Sequence, residues 1–242
     1  MICPACTYTN QAEVRFCSNC GKKIAVEKKR IDYQLPLYNV YALYFIILVF
    51  LLILNFTQFT DTYITSLITD SIFALIVLVF FFLNFEVNKK LLIPKKIKPR
   101  LLLSILFIAP LIALAVHYLA SFINQSVFSA HNSIYYNAYL DSPAPLFFSI
   151  LSIGVFPALF EEIAFRGILF NETFKVTGLK ATILITSILF TLLHFSLISS
   201  IWLFPGGLIF GYLRAKHKTL LYGILGHFTY NSSIVLLQIL LQ

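Results

Sequence analysis

Seven apolar runs, most of them close to 20 residues long, govern what this chain can fold into. A bilayer core of about 30 Å is crossed by roughly 20 helical residues, and no water inside it can satisfy an unpaired backbone group. The runs read as helices over 37–56, 66–85, 101–123, 146–170, 181–199, 201–213 and 220–241. The third carries Pro110, a candidate kink, and the fourth opens after the turn-like DSPAP. The sixth, which contains FPGG, is short and reads as re-entrant or packed inside the bundle. Composition agrees: 59% of the 242 residues are hydrophobic and 12% are charged, which a soluble domain of this length does not show. The expected fold is an all-α polytopic membrane protein of about seven transmembrane helices, preceded by a small N-terminal unit.

The net charge of +8 would ordinarily suggest a nucleic-acid partner. Its placement argues otherwise. Lys and Arg lie before the first run, in KKLLIPKKIKPR (89–100), around 175–180 and in RAKHK (214–218), and Arg166 is the remaining one. The loops between runs one and two, three and four, and five and six contain none. That alternation obeys the positive-inside rule. It predicts a multi-pass protein of the cell membrane with a cytoplasmic N-terminus and an extracytoplasmic C-terminus. The excess charge then reflects topology and attraction to anionic lipid, and no nucleic-acid partner is expected. The opening MICPACTYTN lacks a basic region followed by an apolar core, so no secretory signal peptide is expected.

All four cysteines fall within the first 20 residues, as two C-x-x-C pairs, Cys3/Cys6 and Cys17/Cys20. Two such knuckles read as a four-thiolate tetrahedral zinc site. The segment 1–23 has almost nothing apolar to bury, so metal binding would supply its folding energy. Two disulfides or a thioredoxin-like redox pair are the competing readings; no βαβ pattern surrounds the cysteines. Zinc thiolates imply a reducing compartment. The expected organisation is a zinc ribbon over 1–23, a basic linker over 24–36 and a membrane domain over 37–242. A cytosolic protein partner for the ribbon is one use for it.

The polar residues inside the apolar runs carry the chemistry. LFEEIAFRGILF places Glu161, Glu162 and Arg166 in the fourth run. A charge at the centre of a spanning helix costs about 2.5–3.5 kcal/mol on insertion scales, so something must offset it. Glu162 and Arg166, four apart, share a face and can pair. At roughly 100° per residue, Glu161 is turned onto another face and left without that partner. An unpartnered carboxylate there is a candidate general base; hydration at a helix end is the plainer alternative. FTLLH puts His194 in the fifth run, and HFTYN puts His227 and Asn231 on one face of the seventh. Each histidine alone is as well explained by an interhelical hydrogen bond. Together they supply a base, an imidazole and a donor pair, the set that water attack on a carbonyl requires. Blander readings suit the rest. Asp70 is a hydrated residue near a helix end, His117 bonds a neighbour, and His131 and His217 lie in loops. Gly206, Gly207 and Gly211 permit close helix approach.

EEIAFRG, FTLLH and HFTYN match, in order, the EExxxR, FxxxH and HxxxN motifs of the CAAX-protease and bacteriocin-processing (CPBP, or Abi) family. The resemblance spans roughly 100–242 and leaves the cysteine segment outside; that segment resembles the small zinc ribbons fused to many bacterial membrane proteins. It implies an Rce1-like intramembrane endopeptidase acting on a membrane-associated peptide or protein. By that similarity Glu161 activates water with His194, His227 and Asn231 stabilise the oxyanion, and Glu162 and Arg166 organise the site. The family is often labelled metalloprotease. Glu161, His194 and His227 could offer ligands to a metal, but there is no H-E-x-x-H pair, and CaaX-type similarity favours a metal-independent glutamate mechanism. Glu162 remains the alternative base. The other functional readings are a non-proteolytic scaffold or bacteriocin-immunity protein that docks a partner through its ribbon, and a transporter. The absence of an internal repeat counts against the transporter.

Overall fold

A computed structural model of the chain describes residues 2–3, 5–10, 16–22, 34–57, 62–93, 96–128 and 135–241. The chain separates into two compact units, 1–33 and 34–242. Most of the expected linker, and His131, lie outside the described residues.

Among the described residues the second unit has eight helices: α1 Gln34–Thr57, α2 Tyr63–Leu83, α3 Phe85–Leu92, α4 Pro99–Phe128, α5 Pro145–Val176, α6 Leu179–Leu192, α7 Leu197–His217 and α8 Leu221–Leu240. A 3-10 turn, Tyr135–Tyr139, precedes α5. Five of them, α1, α2, α4, α5 and α7, are long and apolar enough to cross a membrane. At 20 residues α8 is also long enough, but its middle is given over to Gly, His, Thr, Asn and Ser. The protein is an all-α polytopic membrane protein.

The elements begin where the chain offers caps. Thr62 and Thr65 form a reciprocal capping box at the start of α2. Pro145 occupies the first turn of α5, where its missing N–H costs nothing. Ser196 accepts from the Ser199 amide at the start of α7.

Several boundaries differ from the sequence reading, α4 running on to Phe128 and α5 to Val176 among them. The fifth run does not continue to residue 199: α6 ends at Leu192, and Phe195 takes a left-handed φ of 49° before α7 begins. The short element is therefore α6, at 14 residues, while the FPGG helix extends to 21. The basic segment from residue 89, expected as loop, begins inside α3. Pro110 is carried within a continuous α4.

Apolar stripes on α1 (Val40, Leu43, Ile47), α2 (Val77, Phe81) and α5 (Ile163 to Leu169) meet in one buried core with Phe190 and Leu193. Their opposite faces, such as Tyr41, Phe45 and Leu75, are exposed, as lipid-facing side chains should be. α7 lies along α6 because its glycines admit contact. A Cβ on Gly207 would stand 3.0 Å from Ser187, and one on Gly211 would stand 3.1 Å from Ile183. Gly206 meets nothing within 4 Å, so the close approach uses two of the three expected glycines.

α5 is wound wide through its centre. Over Ile150–Val155 and Pro157–Leu169 its backbone follows i→i−5 bonding, flanked by ordinary α turns. Such π segments are rare and recur at functional sites.

Candidate active site

The wide winding alters which side chains of α5 share a face. With more residues per turn, neighbours are separated by less than the α-helical angle, and Glu161 and Glu162 both turn toward α8. Glu162, and not Glu161, meets Arg166, and one imidazole lies between the acids: His227 Nδ1 lies 3.5 Å from Glu162 Oε1, and Nε2 lies 3.8 Å from Glu161 Oε2.

The Glu162–Arg166 pair forms at 3.0 Å, with both side chains 1% exposed. It is a charge contact without hydrogen-bond alignment, since neither Glu162 oxygen has an aligned donor. Other contacts hold the arginine. Its guanidinium lies 4.2 Å from the Phe190 ring centroid and 5.7 Å from that of Phe210, so two aromatic faces supplement the carboxylate. Arg214 Nε donates to the Arg166 carbonyl at 3.0 Å, and its Nη2 donates to Asn171 Oδ1 at 2.9 Å. Phe210 also stacks on His227 at 5.9 Å, with ring planes 26° apart.

Small residues let α8 approach this cluster. A Cβ on Gly223 would fall 2.5 Å from Glu162 Oε2, and one on Gly226 would fall 2.9 Å from Phe210. The sequence reading missed Gly223, Phe210 and Arg214. Gly223 left a readable signal: it precedes His227 by four residues and so shares its face.

His194 sits just past the end of α6. Its Nδ1 lies 2.9 Å from the Phe190 carbonyl, and the two rings are 4.8 Å apart. The F-x-x-x-H spacing thus has a local meaning: residue i supplies both a packing face and a carbonyl for residue i+4. A proton on Nδ1, the assignment this contact requires, leaves Nε2 as an acceptor in the neutral ring. Asn231 Nδ2 donates to the Ile153 carbonyl at 2.8 Å. Residue 157, which would serve that carbonyl in an α-helix, is proline and has no N–H. One Asn231 donor is therefore committed to the backbone of α5.

Glu161, His194, His227 and Asn231 all line one cavity of about 650 Å³. Glu162 and Arg166 lie behind it. A second, more apolar cavity of about 210 Å³ is lined by Ile47, Phe50, Leu51 and Phe73, and shares Asp70, Glu161 and His194 with the first. Asp70 is thus more than an end residue. It is half-buried, it accepts the Ser152 hydroxyl from α5, and it lines both cavities. His117 lines the larger cavity as well.

The N-terminal unit holds a different cluster. Sulfur separations are 3.7 Å for Cys3–Cys20 and 3.6 Å for Cys6–Cys17, and ligand atoms from all four cysteines lie within 4.8 Å of one another. A tetrahedron with metal–sulfur arms of about 2.3 Å has edges of about 3.8 Å, so the four cysteines can bind a metal such as zinc. The two knuckles repeat one geometry. Thr7 N–H bonds the Cys3 carbonyl at 2.8 Å, and Gly21 N–H bonds the Cys17 carbonyl at 2.9 Å. Thr7 and Gly21 take matching left-handed φ values of 56° and 68°. Ala5 and Asn19 amides each reach a sulfur at 3.4 Å. The Cys20 backbone amide, with Asn10 and Asn19 and against burial, pulls the Cys17 thiol down to about 6, which favours the thiolate a metal needs.

No curated protein and no solved structure matches the chain. The family described as Type II CAAX prenyl endopeptidase Rce1-like matches residues 143–233, a segment that contains Glu161, Glu162, Arg166, His194, His227 and Asn231. The chain's similarity to the Rce1-like family thus rests on that segment.

Proposed function

We propose that the membrane unit is an intramembrane endopeptidase that hydrolyses a peptide bond of a membrane-associated protein or peptide. The observation that carries this reading is the convergence of Glu161, His194, His227 and Asn231, from two helices and a turn, on one cavity. Glu161 removes a proton from water, and His194 Nε2 accepts a second water hydrogen bond and aligns it. The resulting hydroxide adds to the carbonyl carbon. The oxyanion meets His227 and Asn231. His227 donates to it from Nε2, and Glu162 lies opposite the ring's Nδ1. As the C–N bond breaks, protonated Glu161 returns its proton to the leaving amine, so the net change is addition of one water. Arg166 and Glu162 fix the α5 wall. The smaller apolar cavity, meeting the larger one at Glu161, suits a substrate side chain next to the cleaved bond.

The catalytic core occupies about 100–242 within a membrane domain over 37–242, and a linker over 24–36 joins it to a zinc ribbon over 1–23. In the ribbon Cys3, Cys6, Cys17 and Cys20 hold zinc as thiolates, where the ion supplies folding energy and no chemistry. The N-terminus is cytoplasmic, the C-terminus extracytoplasmic, and the ribbon is free to dock a cytosolic protein.

Profiling of protein N-termini tests the reading. Membranes of cells expressing the chain should carry new N-termini that vanish with Glu161→Ala and with His194→Ala at equal expression. Profiles identical across the three would leave the scaffold or immunity reading, in which buried charges serve packing alone.

A further inference from the structure

The two ends of the membrane unit differ in charge and in closure. Among its described residues every Lys and Arg except Arg166 lies at one end: Lys89, Lys90, Lys96, Lys98 and Arg100 around α3 and the start of α4, Lys175 and Lys180 around the α5–α6 link, and Arg214, Lys216 and Lys218 at the end of α7. That end is stitched shut. The Leu220 amide and the Thr219 hydroxyl both donate to the Leu91 carbonyl, at 2.9 and 3.0 Å, and the Lys98 amide donates to the Tyr222 hydroxyl at 3.0 Å. Leu220 and Tyr222 are buried beneath these bonds.

The large cavity belongs wholly to the opposite half. Its wall comes from the first turns of α2 (Ser66, Asp70), the far half of α4 (His117), the first half of α5, the start of α7 (Ser199) and α8 from His227 outward to Gln238. No Lys or Arg lines it. His227 and Glu161 form its deep end, and its rim lies toward the starts of α2 and α7 and the turn Tyr135–Tyr139 before α5.

Loops rich in Lys and Arg stay in the cytoplasm. We infer that the catalytic cavity opens on the extracytoplasmic face, and that its substrate is a polypeptide whose cleaved bond has already crossed the membrane. A lipid-modified protein residing in the cytoplasm could not reach Glu161, because the closed basic end stands between them. What enters the cavity rests on the peptidase reading; which face it opens to does not.

Cysteine accessibility in cells expressing the full chain tests this. Ser66→Cys and Ser199→Cys mark the cavity, and Lys216→Cys marks the basic end. A membrane-impermeant maleimide is applied to intact and to permeabilised cells, and each site is quantified by peptide mass spectrometry. In intact cells both cavity cysteines should be labelled about tenfold or more above Lys216→Cys, with parity after permeabilisation. Cavity labelling that requires permeabilisation, or Lys216→Cys labelled from outside, overturns the inference. Outside labelling at positions 66 and 199 together with unchanged N-termini in Glu161→Ala would sink the peptidase reading and leave the direction of access standing.

Discussion

The cysteine cluster and the membrane cluster solve opposite problems. The four sulfurs come from 18 consecutive residues, and two copies of one local knuckle place them. The carboxylates, imidazoles and amide come from α5, the α6–α7 turn and α8, and reach one another only because helices pack closely at Gly223 and Gly226. The first cluster can be removed as a unit. In the second, each charge depends on its neighbours, so removing one exposes the others to a medium that cannot solvate them.

The largest expected effect on stability follows from that dependence. Arg166→Ala leaves Glu162 buried without its cation and should destabilise the membrane unit by about 3–5 kcal/mol. Thermal unfolding in detergent reads this, and Arg166→Lys should recover only part of it, since an ammonium cannot lie flat between Phe190 and Phe210. An unchanged midpoint for the alanine variant would break the comparison. His227→Ala should act on rate, lowering turnover by about 10²–10³ through a lost oxyanion donor, with a smaller thermal shift than Arg166→Ala. Gly223→Ala drives a methyl into Glu162 and should cost about 1–3 kcal/mol. Gly206→Ala meets open space and serves as its silent control. The smallest effect belongs to the other cluster. Stripping metal with a chelator should unfold the ribbon and leave the thermal midpoint of the membrane unit in place; a shift as large as that of Gly223→Ala would show that the clusters are not separable.

The same contrast explains what could be read from the sequence. The cysteine spacing was legible because its geometry is local. The spans were legible because apolar runs near 20 residues have one use. The end of α6 was not, since TLLHFSLISS holds no Gly or Pro at the break, and a left-handed Phe195 makes the turn. The meeting of one imidazole with both acids was not, because His227 lies in another helix. Pro157 was the available hint: it removes the i→i−4 donor that an α-helix would give the Ile153 carbonyl, which Asn231 meets. The place of Asp70 on the cavity wall was not legible either, because its partner Ser152 lies in another span.

The central claim is that Glu161 acts on water while Glu162 holds the wall. Glu161→Gln and Glu162→Gln, compared for turnover of one identified substrate and for thermal midpoint, test it most directly. The account predicts that Glu161→Gln loses about 10²–10⁴ in rate with its midpoint kept, and that Glu162→Gln loses its midpoint. An active Glu161→Gln beside an inactive but equally stable Glu162→Gln would contradict it and exchange the two roles.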